Sequence, residues 1–307
     1  SRSHSSEPTV AFRSQYASHY RSRGEAVPSG AKEEAVTAAP VKWFSDLPPI
    51  ERASLLLGLG AEGGGSALTN QQPIKSRRIR ARTAGSGRQL TIEVPDDRGT
   101  LFVAEEVFKR ECYRPVSVVA QPTSILDIGA NVGISAAYFR LVYPEAALYC
   151  VEPDPATYQF LERNAQAIGG CRTYRAGLFN ATCCSNLYLG PSSVENSLSP
   201  TRGRSIRVLL LDARKFVSEL PSAAFDLVKI DTEGAEVPII LRLRDILRKT
   251  AVVHIEFHSS TDQRLINDLL SESHQLWRTE AASPHRGLLT YVLRGAAGEP
   301  KEPARYV

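Results

Sequence analysis

Charged residues alternate with apolar ones along two segments in the C-terminal half of the chain. The first carries Lys229 and Asp231 two residues apart and continues to Glu233, and the second carries Glu256 and His258. Side chains two residues apart on a strand point to the same face, so each pair is expected to share one side of a sheet. Carboxylates and imidazoles can accept protons during catalysis. Asp231 is therefore our first candidate for a group that removes or orients a hydroxyl proton, with the other four residues as further catalytic candidates.

The same segments hold a possible set of metal ligands. Asp231, Glu233, Glu256 and His258 offer the oxygen and nitrogen atoms that divalent cations use in proteins. Their spacing matches no dedicated metal motif, so we predict that these residues do not form a metal site. A site for a divalent cation stays open as the alternative. His254 lies in the same apolar run, and we expect it to be a hydrogen-bonded core residue.

A glycine turn follows an earlier apolar run, in the segment SILDIGANVG (124–133). Glycine lets a backbone pass close to a ligand, and the helix expected after the turn offers free N–H groups. The dinucleotide-binding pattern G-x-G-x-x-G requires glycine where this chain has Asn131 and Ile134. Asp127, just before the turn, would repel a pyrophosphate, whereas it suits a ligand with a cationic end. The turn therefore disfavours NAD.

A second acid, Glu152, follows the next apolar run, about 25 residues after Asp127. A carboxylate at this place can accept hydrogen bonds from both hydroxyls of a ribose. A ribose together with a cationic end favours S-adenosylmethionine as the cofactor. The candidate cofactor-binding residues are Asp127, Gly129, Ala130, Asn131, Gly133, Glu152, Pro153 and Leu178.

Apolar strands and amphipathic helices alternate from residue 122 onwards. Strands are predicted over residues 89–94, 124–128, 147–152, 171–176, 225–230, 251–257 and 287–293, and helices over 103–112, 133–142, 155–168 and 237–248. This alternation predicts an α/β fold, with a mostly parallel sheet covered by helices on both faces. Residues 180–211 interrupt it and are predicted to form an inserted hairpin.

The N-terminal part of the chain has a different character. Residues 1–40 are polar and predicted to be flexible, and residues 41–60 hold an apolar patch, predicted as one short helix that could bind a protein partner. The stretch from residue 63 through a basic run (75–88) is interpreted as a linker. We therefore predict an N-terminal extension over residues 1–87 and a folded domain over 88–307, with its core at about 100–295.

The bulk composition excludes several classes of protein. The 307 residues contain no apolar run of the roughly 20 residues that cross a membrane. The net charge of +4 is mild and argues against a nucleic-acid partner. Five cysteines without CxxC spacing favour a reducing compartment. We predict a soluble protein of the cytoplasm, or of an organelle matrix if the Ser- and Arg-rich residues 1–24 are the remnant of a transit segment.

Taken together, these motifs resemble those of the FkbM-type methyltransferases. The matching stretches are ILDIGANVG (125–133), VEPDP (151–155), LERNA (161–165), VLLLDA (208–213) and KIDTEGAE (229–236), of which the last is the most diagnostic. The resemblance implies a Rossmann-like class I fold with seven strands, S-adenosylmethionine as cofactor, and methylation of a hydroxyl on a small molecule or glycan. One departure lies at residues 177–180, where the family tends to carry an acid near the adenine.

Two other functions stay open at this point. An RNA ribose methyltransferase would draw on the basic residues 75–88 with Arg202, Arg204 and Arg207, although only Tyr113 and Phe179 are candidates to stack on bases. A catalytically silent methyltransferase-like subunit would dock in a larger assembly through residues 41–60. The glycine turn together with both acids favours an active enzyme.

Overall fold

The computed structural model describes residues 74–82, 87–119, 121–198, 204–222 and 224–296. The predicted tail, the apolar helix within residues 41–60 and the suggested transit remnant lie outside these residues. None of the described helices combines the length and the hydrophobicity that a bilayer span requires. The cysteines are all free thiols.

The described strands and helices follow one another along the chain. They are β1 (Ser76–Arg82), β2 (Gln89–Pro95), α1 (Arg98–Phe108), β3 (Ser124–Ile128), α2 (Ile134–Val142), β4 (Ala147–Val151), α3 (Pro155–Ile168), β5 (Cys171–Tyr174), β6 (Gly177–Phe179), β7 (Cys183–Tyr188), β8 (Ser205–Asp212), α4 (Ala213–Ser218), β9 (Leu227–Ile230), α5 (Glu236–Leu247), β10 (Val252–Phe257), α6 (Ser260–Leu270), β11 (His274–Ser283) and β12 (Arg286–Leu293). A 3₁₀ turn, Ser193–Glu195, lies between β7 and β8.

Seven strands form the central sheet, in the order β11-β12-β10-β9-β3-β4-β5. The five strands from β10 to β5 are parallel, and β12 runs antiparallel to both β10 and β11. This is the predicted Rossmann-like α/β fold with a mostly parallel seven-stranded sheet. The carboxyl ends of β3, β4, β9 and β10 meet at one edge, where an open α/β sheet binds its ligands.

Each face of the sheet packs against its own layer of helices. Along β3, Ile125 joins a core with residues of α1, α2 and α3, whereas Leu126 joins a core with residues of α4, α5 and α6. All five residues of β3 are buried, as expected for a central parallel strand covered on both sides. The short apolar runs of the sequence therefore form the central sheet, which lies between two layers of helices.

The predicted interruption at residues 180–211 is a second, smaller sheet. Strands β7 and β8 pair antiparallel, and β6 pairs parallel with the other side of β8. Asp212, at the end of β8, caps α4 by accepting a hydrogen bond of 3.0 Å from the N–H of Lys215. The inserted hairpin is thus present, with a third strand that the sequence did not reveal.

The interpretation of the basic run as a linker is wrong for residues 76–82. These residues form β1, which pairs antiparallel with β2 along its whole length. Ile79 and Ala81 alternate with arginines, and they turn inward while the arginines face solvent. This period-two pattern is that of a half-buried strand. The boundary predicted between residues 87 and 88 falls between the two strands of this hairpin.

Candidate active site

The glycine turn after β3 requires its glycines. Gly129 has φ +80°, and a Cβ atom on it would lie 1.7 Å from the carbonyl oxygen of Asp231. Gly133, with φ +90°, packs against Leu161 of α3. The N–H groups of Gly129 and Ala130 both donate to the carbonyl oxygen of Val151, at 2.9 and 3.0 Å. The turn therefore lies between the end of β4 and the segment after β9, with no room for a side chain at position 129.

Glu152 lies directly after β4 and is 6 % exposed. Its two carboxylate oxygens accept hydrogen bonds from the backbone N–H groups of Asn131 and Asp154, at 3.0 and 2.9 Å. Asn131 has φ +50°, a left-handed conformation that asparagine tolerates. Burial raises the pKa of Glu152 to about 8, against the two backbone donors, which lower it. The carboxyl group is thereby fixed in orientation, and each oxygen keeps a lone pair for a ligand.

A cleft with a volume of about 550 Å³, including its open mouth, lies at this edge of the sheet. Four of the predicted cofactor residues line it: Gly129, Glu152, Pro153 and Leu178. The small sheet, the connection between β7 and β8, and the turn after β9 supply the facing wall, which includes Leu187, Asn196, Leu198, Leu210, Asp231 and Thr232. The other four predicted cofactor residues, Asp127, Ala130, Asn131 and Gly133, do not line the cleft and shape the turn behind it.

Asp127 and Lys229 form a buried ion pair behind the turn. The Nζ atom of Lys229 lies 3.2 Å from Asp127 Oδ1 and 3.3 Å from Asp231 Oδ2, and it donates a 2.8 Å hydrogen bond to the carbonyl oxygen of Gly129. Ser135 Oγ donates to Asp127 Oδ2 at 2.5 Å. Burial alone would lower the pKa of Lys229, but the two carboxylates raise it above its ordinary value. Lys229 is therefore a fixed cation held by Asp127, and the cofactor-binding role of Asp127 stays a prediction.

The segment DTEG (231–234) forms a tight turn between β9 and α5. Glu236 closes the turn by accepting hydrogen bonds from the N–H groups of Thr232 and Gly234, at 2.9 and 3.0 Å. Glu233 lies in the left-handed region with φ +52°, and its carbonyl oxygen accepts a 2.6 Å hydrogen bond from Ser197 Oγ. The last acid of KIDTEGAE is thus the residue that organises the motif, which leaves Asp231 facing the cleft.

His258 is surrounded by carboxylates. Its Nε2 atom lies 3.2 Å from Glu233 and 3.7 Å from Glu256, and its Nδ1 atom lies 3.4 Å from Glu236. Burial alone would lower the pKa of His258, but these acids raise it to about 11. The imidazole is therefore charged near neutral pH. This arrangement does not support the predicted role of His258 as a general base, because a base must be able to take up a proton.

Asp231 lies directly after β9, Glu256 lies on the neighbouring strand β10, and the two differ in protonation. Burial and the charge of Asp231 raise the pKa of Glu256 to about 8. Burial also acts to raise the pKa of Asp231, but Lys229 and His258 lower it below its ordinary value. Near neutral pH Asp231 is thus the ionised member of the pair, and it is the one that lines the cleft.

Arg286 completes this cluster. Its Nε atom donates to Glu256 at 2.9 Å and its Nη2 atom donates to Glu233 at 2.5 Å. The sequence analysis missed Arg286, because no motif surrounds it. Arg286 could have been predicted only from the strand order of the sheet. Because β12 is antiparallel to β10, the first residue of β12 lies next to the last residues of β10.

Residues 127–280, half of the chain, match the family described as Methyltransferase FkbM domain. The chain belongs to the FkbM methyltransferase family. The resemblance inferred from the motifs is therefore confirmed.

Curated relatives carry methyltransferase names. Methyltransferase 1 of Beauveria bassiana is 26 % identical over 168 residues, which cover 47 % of this chain and 67 % of that protein. Hexuronic acid methyltransferase AglP of Haloferax volcanii is 26 % identical, with 48 % of this chain and 61 % of that protein covered. 2-O-methyltransferase NoeI of Sinorhizobium fredii is 26 % identical, with 49 % and 68 % covered. The matches thus span about half of this chain and at most about two thirds of these relatives.

Solved methyltransferases also align with this FkbM chain. The crystal structure of precorrin-6y C5,15-methyltransferase from Geobacter metallireducens is 13 % identical, covers 56 % of this chain and 81 % of its own, and gives a TM-score of 0.37.

Three residues of the FkbM site have side-chain atoms that could bind one metal ion together. One ligand atom each of Asp231, Glu256 and His258 lie within 4.8 Å of one another. A divalent cation would have to displace the proton of His258 and share the carboxylates with Lys229 and Arg286. Lys229, Arg286 and the protonated His258 already supply the positive charge that Asp231 and Glu256 face. The donor set therefore does not fit a resident metal ion. His254 is a core residue, 1 % exposed and 3.0 Å from Thr290 Oγ1.

Proposed function

We propose that this FkbM methyltransferase transfers the methyl group of S-adenosylmethionine to a hydroxyl group of a small molecule or glycan. The observation that carries the proposal is the position of Asp231. This ionised carboxylate lines the same cleft as Gly129 and Glu152, so a proton acceptor lies next to the residues that suit the cofactor.

The residues of the cleft fit S-adenosylmethionine. Glu152 offers its free lone pairs to the two ribose hydroxyls, and Gly129 lines the same cleft with backbone that carries no side chain. Leu178, Pro153 and Leu198 provide an apolar wall for the flat adenine ring. In this chain the wall would contact the adenine in place of the acid that the family tends to carry after β5. When bound, the cofactor supplies an electrophilic methyl group.

The chain's own residues would prepare the acceptor. Asp231 would orient the hydroxyl and take up its proton while the methyl group moves from the sulfonium sulfur to the hydroxyl oxygen, which leaves S-adenosylhomocysteine. Lys229 keeps Asp231 ionised before the reaction, and the Arg286–Glu233 and Arg286–Glu256 contacts hold the neighbouring acids in place. The names of AglP, a hexuronic acid methyltransferase, and NoeI, a 2-O-methyltransferase, support a hydroxyl acceptor on a sugar.

Two measurements test the proposal on the purified chain. In calorimetric titrations we expect S-adenosylmethionine and S-adenosylhomocysteine to bind, and Glu152→Ala to abolish binding. In assays with radiolabelled methyl donor and a panel of methyl glycosides and phenols, we expect Asp231→Asn to lose transfer while it still binds S-adenosylhomocysteine. Asp268→Asn, a change of the same type on an exposed face of α6, is the control. If the unaltered chain binds neither compound, the proposal fails and the silent-subunit alternative is favoured.

A further inference from the structure

The outer face of the β1–β2 hairpin carries a row of arginines. Arg78, Arg80 and Arg82 alternate along β1 with the inward-facing Ile79 and Ala81, and all three are exposed. Residues two apart on a strand are about 6.8 Å apart, so the three arginines follow one another at an even backbone spacing on one face. On β2 the residues opposite them are Glu93, Thr91 and Gln89.

These arginines have no acidic partner among residues 74–82, 87–119, 121–198, 204–222 and 224–296. The only acid opposite them, Glu93, is engaged by Ser76 Oγ at 2.6 Å and by Arg163 at 3.5 Å. Arg77, on the other face of β1, pairs with Asp96. The fourteen residues from Lys75 to Arg88 contain no acid at all. The row is therefore an uncompensated positive surface.

The hairpin is fixed to the body of the domain. Asn164 of α3 accepts a 2.8 Å hydrogen bond from the N–H of Glu93 and donates one of 2.8 Å to its carbonyl oxygen. The same side chain also donates to the carbonyl oxygen of Val132, at 2.8 Å. Ile92 and Val94 are buried in the core. The arginines are consequently presented by a rigid element, so a partner would not have to order them first.

We propose that the outer face of the β1–β2 hairpin is a docking surface for the phosphate backbone of RNA. A guanidinium group matches a phosphate with two parallel hydrogen bonds, and evenly spaced charges suit a polymer with a repeating charge. Thr91 and Gln89 lie among the arginines on this face, and neither can insert into a bilayer or fill an apolar pocket on a protein. Neither described strand of the hairpin, β1 or β2, carries an aromatic residue on which a base could stack, so recognition would be independent of sequence.

This surface is separate from the cleft, and its test does not depend on the methyl acceptor. Binding of the full chain to fluorescein-labelled poly(U) is measured by fluorescence anisotropy between about 50 and 200 mM salt. The test variant carries Arg78→Gln, Arg80→Gln and Arg82→Gln. The control variant, Lys215→Gln, Lys249→Gln and Arg264→Gln, removes the same charge from other exposed positions.

Each phosphate contact adds about 0.7 to the slope of log K against log salt for a single strand. We therefore expect the test variant to lose about two units of slope and to bind poly(U) at least tenfold more weakly at the lowest salt. The control variant should keep the slope of the unaltered chain.

Three results would overturn the proposal. The first is no binding of poly(U) by the unaltered chain. The second is equal weakening in the test and control variants, which would indicate attraction by net charge alone. The third is tighter binding to heparin or to phosphatidylserine vesicles than to poly(U), with that binding lost in the test variant, which would assign the surface to an anionic glycan or a membrane. Thermal melts of both variants show whether the hairpin still folds.

Discussion

Replacing Lys229 by methionine should destabilise the domain strongly. The change removes the only ammonium group within 3.3 Å of Asp127 and Asp231 among the described residues. Asp127 is 1 % exposed, so its charge would be left out of water without a counter-ion. Breaking one side of a buried ion pair costs about 3–5 kcal/mol. The lost hydrogen bond to Gly129 acts in the same direction, so we expect the free energy of unfolding to fall by about 3–5 kcal/mol.

A double-mutant cycle separates this effect from lost packing. Asp127→Asn removes the buried charge, so the variant with both Asp127→Asn and Lys229→Met should be more stable than the sum of the single losses predicts, by about 0.5–3 kcal/mol. Unfolding in urea, followed by circular dichroism, measures all three variants. Lys249→Met, on the surface, should change the free energy of unfolding by less than about 0.5 kcal/mol. A loss of less than about 1 kcal/mol for Lys229→Met, or strict additivity of the two changes, would refute the reasoning.

Three further outcomes are expected. Gly129→Ala places a Cβ atom 1.7 Å from the carbonyl oxygen of Asp231, so binding of S-adenosylhomocysteine should weaken at least tenfold in calorimetry; an unchanged Kd would contradict the tight turn. Because the pKa of Glu152 is about 8 and we propose that the ionised form accepts both ribose hydroxyls, affinity for S-adenosylhomocysteine should rise as the pH rises towards 8 and then level off, whereas Glu152→Gln should show no such rise. His258, with a pKa of about 11 against an ordinary 6.5, should stabilise the fold fully below pH 6.5 and lose this contribution as the pH rises towards 11. Nitrogen NMR of the imidazole should therefore find both ring nitrogens protonated at about pH 8, and a neutral ring would count against the carboxylate cage.

The sequence predicted those parts of the site that depend on local chemistry. The turn after β3 needs left-handed residues, and Gly129 and Gly133 supply them at fixed spacing. Glu152 follows its strand directly, so its place at the edge of the sheet follows from the alternation of strands and helices. α3 begins at Pro155 after the capping residue Asp154, and its predicted limits agree with those observed.

Other parts depend on contacts between distant segments, which a single sequence does not encode locally. Lys229 was predicted as a catalytic residue and Asp127 as a cofactor-binding residue, but the sequence did not reveal that the two form a buried ion pair. The charge of His258 follows from Glu236 as well as from its neighbours on the sheet, and Glu236 lies on α5. β1 was not predicted as a strand because four of its seven residues are arginines. Ile79 and Ala81, which alternate with them, are the side chains that turn inward.

The position of β12 in the sheet has a consequence for how the protein is made. β12 is the last strand in the described chain, yet it lies between β10 and β11. During synthesis β10 therefore remains an edge strand, with its pairing groups exposed, until residue 293 has left the ribosome. Arg286 arrives with that strand, so the carboxylates of the site receive this counter-ion last. Until then the exposed edge of β10 is open to pairing with another strand, and a chain that stops within β12 would be prone to pair with its own copies.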